Sequence, residues 1–291
     1  MRGRPVASSL VPLNSGHYGQ PIFIAAGGGG DVRNYGNLVA HMRIPYPIYG
    51  MQSTGIDDGN EPCEHIENIA QLHIDAVQQI QPHGPYFLIG YSFGGLVALE
   101  MAQRFLKKGA KVALLVMIEA YPYRRFLPLS LRLRQYLRLC KRHISMLSEL
   151  SIREALPHVG IPLFARRLIF AGNGNGESHE TNHQSRSDAE HMAWMNYRPC
   201  RYAGVINFVA GESSFELPNA VPYWSKLAEG FVVETTHGDH LGIMGEHAEE
   251  VASVLSRYIA EVLPQSSVRE ENSDFPCRAH GDSTERRSNQ K

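Results

Sequence analysis

Five residues, Gly90-Tyr91-Ser92-Phe93-Gly94, constrain this chain more than any other stretch. They follow an apolar run, Tyr86-Phe87-Leu88-Ile89, and open a segment in which Val97, Met101 and Phe105 recur at helical spacing. The pattern reads as strand, sharp turn and helix. Glycines two before and two after the serine allow the strained backbone that lifts a hydroxyl into the open above a sheet. An ordinary glycine-rich turn would lack the flanking strand and helix.

A serine hydroxyl is a weak nucleophile near neutrality, so it needs a base, an orienting acid and an oxyanion hole. In α/β-hydrolases these follow in the order serine, acid, histidine. Thr236-His237-Gly238-Asp239-His240 lies between an apolar strand at 231–234 and a final helix at about 247–262. A histidine in that loop stands at the carboxyl edge of the sheet, which makes His240 the expected base. His237 is its competitor, nearer the strand end, where it would pack or cap. Asp239 is expected to fix the loop. Glu119, at the end of a strand over 112–118, is the expected acid, because carboxylates at strand ends face the crevice. Glu212, after a strand at 205–209, is its rival. The oxyanion donors are expected at the N–H of Phe93 and in the glycine run after the strand Pro21-Ile22-Phe23-Ile24-Ala25-Ala26, at Gly28. No Gly-Lys-Ser/Thr follows that run, and the dinucleotide spacing fails at Val32 and Arg33, which argues against nucleotide binding.

The coarse alternation predicts strands near 21–26, 46–51, 86–91, 112–118, 204–210 and 230–235. Helices are predicted near 34–42, 64–80, 94–107, 219–228 and 246–262. This is an α/β chain with a mostly parallel central sheet flanked by helices. Residues 1–20 read as a lead-in, 21–262 as the domain and 263–291 as a disordered polar tail. Between about 121 and 199 the alternation stops, and this helical insertion would lie over the serine as a lid. Within it, His179-Glu180-Thr181-Asn182-His183 matches a zinc motif. It sits among glycine, asparagine and serine without an apolar helical period, so a chance match in a loop and no metal is expected.

The chain resembles the thioesterase domains that terminate non-ribosomal peptide synthetases and polyketide synthases. The likeness is carried by Ser9-Leu10-Val11-Pro12-Leu13, Pro21-Ile22-Phe23-Ile24 with its glycines, and Ile48-Tyr49-Gly50-Met51-Gln52. It continues through Gln81-Pro82-His83-Gly84-Pro85-Tyr86, the elbow, Glu100-Met101-Ala102 and Gly238-Asp239-His240. Such domains carry aspartate where this chain has Glu119. The resemblance implies an α/β-hydrolase fold with a helical lid and a serine hydrolase that releases a chain from a carrier protein's phosphopantetheine, with no cofactor of its own. A lipase-like esterase, or a docking module whose catalysis has weakened, are the alternatives.

Composition bounds these readings. With 291 residues, 43% of them hydrophobic, one domain can bury a sizeable core. A formal net charge of −1 gives no case for nucleic acid. Cys63, Cys140, Cys200 and Cys277 form no close pair, which fits reduced thiols and a cytoplasmic protein. No apolar run reaches membrane-spanning length, so stable membrane insertion is not expected. A basic stripe including Arg132, Arg134 and Arg138 would suit an acidic carrier protein.

Overall fold

The computed structural model describes residues 9–16, 18–53, 63–133, 137 and 179–263. Seven strands form one sheet: β1 (Leu10–Pro12), β2 (Ile22–Ala25), β3 (Ile48–Met51), β4 (Tyr86–Tyr91), β5 (Val112–Ile118), β6 (Tyr202–Gly211) and β7 (Ala228–Thr236). Their spatial order is β1-β3-β2-β4-β5-β6-β7. All pairings are parallel except β1 with β3. Among the described residues, six α-helices accompany them: α1 (Gly36–His41), α2 (Ile66–Ile80), α3 (Phe93–Lys107), α4 (His179–Asn196), α5 (Leu217–Leu227) and α6 (Ala248–Val262). This is the α/β-hydrolase architecture expected from the sequence.

The central strands are apolar on both faces because helices cover both. Phe23, Leu88, Leu115 and Met117 pack toward Val97, Met101 and Phe105 of α3 and Trp224 of α5. Their neighbours along the strands, Ile22, Ile24, Ile89 and Val116, face Leu38 of α1 and Val251, Leu255 and Ile259 of α6. The period-two alternation thus divides one sheet between two cores. Glu249 and Glu250 sit in the first turn of α6, where the helix dipole favours negative charge.

Two features depart from expectation. The lead-in is not outside the sheet: Leu10, Val11 and Pro12 pair with Met51, Gly50 and Tyr49 as an antiparallel edge. The segment 179–183 is the start of α4, not a loop. Among the described residues, no group of three or more His, Cys, Asp or Glu could hold a metal ion. The lid expectation falls largely outside the described residues, as do Arg134, Arg138 and the tail. Arg132 is exposed, on a helical turn in which its N–H donates to the Pro128 carbonyl. Among the described residues, no helix is long and apolar enough to cross a membrane. Cys63 and Cys200 are free thiols.

Candidate active site

The order of β2, β4 and β5 brings three loops together at the carboxyl edge of the sheet. Chain direction reverses its progress across the sheet between β2 and β4, the place where open α/β sheets form a crevice. Ser92 tops β4 with φ 53° and ψ −119° and is the N-cap of α3. The elbow glycines have a steric task rather than a conformational one. A Cβ at Gly90 would lie 2.1 Å from the Gly94 carbonyl oxygen, and one at Gly94 would lie 2.3 Å from that of Ala26. The strained backbone falls on the serine itself.

His240 stands in the loop between β7 and α6, and its Nε2 lies 3.1 Å from the Ser92 hydroxyl oxygen. Its Nδ1 lies 3.1 Å from Oε2 of Glu119. With the proton on Nδ1 donated to the carboxylate, Nε2 is left to accept from the serine. Glu119 is fully buried, whereas 43% of the His240 side chain is exposed. Burying a carboxylate is costly unless its lone pairs are filled. Here Oε1 accepts from the Gly211 N–H at 2.7 Å and from the Ser214 hydroxyl at 2.5 Å. Oε2 accepts from the Tyr121 hydroxyl at 3.0 Å as well as from His240.

The structure therefore brings Ser92, His240 and Glu119 together and leaves their competitors outside. Glu212 is exposed, and its charge acts on His237. His237 pairs with Glu250, whose hydrogen bond raises the histidine's pKa. Asp239 accepts the N–H groups of Leu241 and Gly242, which lower its pKa and fix the turn that carries His240.

Sequence reasoning missed the tyrosines. Tyr91, inside the elbow motif, donates its hydroxyl to the His240 carbonyl oxygen, and its ring stacks on the imidazole with centroids 5.3 Å apart. Burial, then the charges of Glu119 and Asp239, push the Tyr91 phenol up to about 12, so it remains a donor. Tyr35 meets Tyr91 edge-on and accepts the Gly27 N–H at 2.7 Å. Burial and Glu119 likewise raise the Tyr121 phenol far above its usual range. The position of Tyr91 within the motif was a usable signal; nothing local marked Tyr35.

A cavity of about 930 Å³ opens over these groups, lined by Gly28, Ser92, Phe93, Leu96, Tyr121, Trp194, Phe215 and Leu241 among others. Its size and largely apolar lining, with a few polar groups converging on the serine's side, are those of a small-molecule site. Gly28 and Phe93, the expected oxyanion donors, both line it, as does the serine. A side chain at Gly28 would meet nothing within 4 Å, so its backbone is open to the cavity.

The family model for the thioesterase domain matches residues 20–128, which include the glycine loop, Ser92 and Glu119 but not His240. Over 120 residues, the chain is 38% identical to a dimodular nonribosomal peptide synthase of Bacillus subtilis (strain 168), covering 41% of this chain and 5% of that protein. Over 115 residues, it is 38% identical to the polyketide synthase PksR of the same organism, covering 40% of this chain and 4% of that one. The chain thus spans only about a twentieth of the length of these relatives. In structure it is similar to the NocB thioesterase domain from the nocardicin cluster. The TM-score is 0.62 at 19% identity, covering 87% of this chain and 99% of that one. The resemblance to thioesterase domains of peptide and polyketide synthases is borne out.

Proposed function

We propose, from the premise that residues 20–128 match a thioesterase domain, that the protein releases an acyl, polyketide or peptidyl chain from a carrier protein's phosphopantetheine arm through an acyl-enzyme on Ser92. The single observation that carries this reading is the unbroken path from the Ser92 hydroxyl through His240 to the buried Glu119 carboxylate. His240 Nε2 takes the serine proton as Oγ attacks the thioester carbonyl. The N–H groups of Phe93 and Gly28 receive the oxyanion. Collapse breaks the carbon–sulfur bond, and the imidazolium returns its proton to the departing thiolate. Glu119 holds the ring in the tautomer that accepts from serine and stabilises the imidazolium.

Deacylation repeats the sequence with water, giving an acid, or with an amine or hydroxyl of the chain itself, giving a lactam or lactone. The chain itself would need no cofactor, since the phosphopantetheine arrives on the partner. Arg132, with Arg134 and Arg138, would meet an acidic carrier protein. Intact-mass spectrometry of the enzyme mixed with a panel of acyl-carrier thioesters tests the reading. An acyl adduct on Ser92, faster from carrier-bound thioesters than from free esters of the same acyl group, is the expected result. Faster acylation by free esters would make it a lipase-like esterase. Carrier binding without any adduct would leave only a docking module.

A further inference from the structure

Two side chains one turn apart on α4 reach to opposite sides of the serine. Glu190 is buried, and its Oε2 accepts the Gly29 N–H at 2.7 Å. Its Oε1 lies 3.3 Å from the Ser53 hydroxyl oxygen. Trp194 donates its indole N–H to the Tyr121 carbonyl oxygen at 2.9 Å. Gly29 belongs to the loop after β2 and Tyr121 to the turn after β5. Ser92 tops β4, which lies between those strands. This half of α4 is thus a strut across the elbow, with Ala193 fully buried beneath it.

We propose that Glu190 is a positioning residue that sets the glycine loop so that the Gly28 N–H faces the developing oxyanion. The proposal rests on the acyl-enzyme reading. The loop's ends have their own tethers. The Gly27 N–H is held by Tyr35, and the Gly30 carbonyl accepts from the Ser53 N–H at 3.1 Å. Between them, Gly29 and Gly30 stand at φ 88° and 68°, and Gly28 has no side-chain packing to hold it. Such a glycine run loses much conformational freedom when ordered. The Gly27 carbonyl, which shares a peptide with the Gly28 N–H, accepts from the Gly30 N–H at 3.0 Å and closes a turn over 27–30. A charge-assisted hydrogen bond to Gly29 holds the middle peptide of that turn, and with it the orientation of the turn that carries the Gly28 N–H. The carboxylate's charge works against a nearby oxyanion, so the benefit lies in the acceptor's position.

This distinction supplies the test. Glu190→Gln keeps an acceptor for Gly29 and loses the charge; Glu190→Ala loses both. The alanine variant should show a kcat lower by about 10–100-fold, up to what a displacement of about 1 Å costs and less than the roughly 10²–10³-fold of losing an oxyanion donor outright, with KM within about threefold. Its affinity for an alkyl boronate, a tetrahedral-anion mimic, should fall by a similar factor. The glutamine variant should keep kcat within about threefold of wild type. Where the alanine variant does not fold, Glu190→Met fills the same space without an acceptor and should show the same losses. Wild-type kcat and boronate affinity in the alanine or methionine variant would overturn the proposal, as would a glutamine variant as impaired as alanine. Wild-type turnover and fluorophosphonate labelling of Ser92 are measured first. Their absence would refute the acyl-enzyme reading, whereas their presence beside an unaffected alanine variant removes only the role of Glu190.

Discussion

The backbone N–H of Ser92 donates to the carbonyl oxygen of Ile118 at 2.7 Å, seating the serine's turn against the residue that precedes Glu119. Ser92 and Glu119 are also the two non-glycine residues with positive φ among those described, at 53° and 51°. Each such conformation costs on the order of 1–3 kcal/mol and persists only where the surroundings over-determine it. Here the parallel ladder of β4 and β5 does so, with the Glu119 N–H donating in turn to Val209 of β6. The two strained turns present the hydroxyl and the carboxylate to His240 from adjacent strand ends.

The serine should therefore trade stability for reactivity. Ser92→Ala should abolish acyl-enzyme formation, lower turnover by about 10³-fold or more, and leave the unfolding temperature nearly unchanged, because the strain stays. Ser92→Gly should be equally inactive yet more stable by about 1 kcal/mol, since glycine adopts positive φ freely. Thermal unfolding of the three proteins, with fluorophosphonate labelling, checks both. Labelling that survives in the alanine variant would remove Ser92 from the mechanism.

Glu119→Gln should reduce turnover by about 10²–10⁴-fold, because an amide neither selects the productive tautomer nor stabilises the imidazolium. It should also lose stability. An amide NH2 would face one of the donors now supplied by Gly211, Ser214 and Tyr121. Glu119→Asp should keep partial activity, and Glu212→Gln should leave turnover unchanged. Steady-state kinetics of the three variants decide this, and a crippled Glu212→Gln enzyme beside a mild Glu119→Gln would move the acid to β6.

How far the sequence revealed this site follows from which interactions are local. The elbow, the glycine run and the histidine loop were readable because each joins a strand to a helix over a few residues. The choice between Glu119 and Glu212 was not, because both end strands. It is Gly211 and Ser214, more than ninety residues downstream, that turn Glu119 into a filled buried acceptor. Strand β1 escaped for a similar reason: three residues with no alternation become a strand only through pairing with β3. α4 lacks an apolar period at its start, and the burial of Ala189, Ala193 and Tyr197 near its end comes from tertiary contact.

Tyr91 holds the histidine from behind, so Tyr91→Phe isolates one hydrogen bond. The ring stack on His240 should survive while its carbonyl loses the donor. A cost of about 1 kcal/mol in positioning corresponds to roughly a fivefold fall in kcat/KM. The loss should fall on acylation and deacylation alike, as both use His240. Pre-steady-state acylation rates equal to wild type would show that the loop keeps its place without this bond.

His73 makes the stability of the fold sensitive to acid at a site away from the chemistry. It lies on the buried face of α2, and among the described residues its Nδ1 has no hydrogen-bond partner. Burial holds its pKa down, from the usual 6.5 to about 4. Above pH 6.5 the ring is neutral in both the folded and unfolded chain and contributes no pH dependence. Between pH 6.5 and about 4 the unfolded chain takes up a proton that the folded chain refuses, so stability falls as pH drops; below about 4 both are protonated and this contribution levels off. At 1.36 kcal/mol per pH unit, the loss across the window is about 3 kcal/mol. His73→Leu, which leaves nothing to protonate, should flatten that part of the pH–stability curve while kcat at neutral pH stays near wild type. Denaturant unfolding of both proteins at half-unit steps from pH 4 to 7 measures the slope directly. Parallel curves for the two would mean that the acid sensitivity of this fold comes from its carboxylates and not from His73.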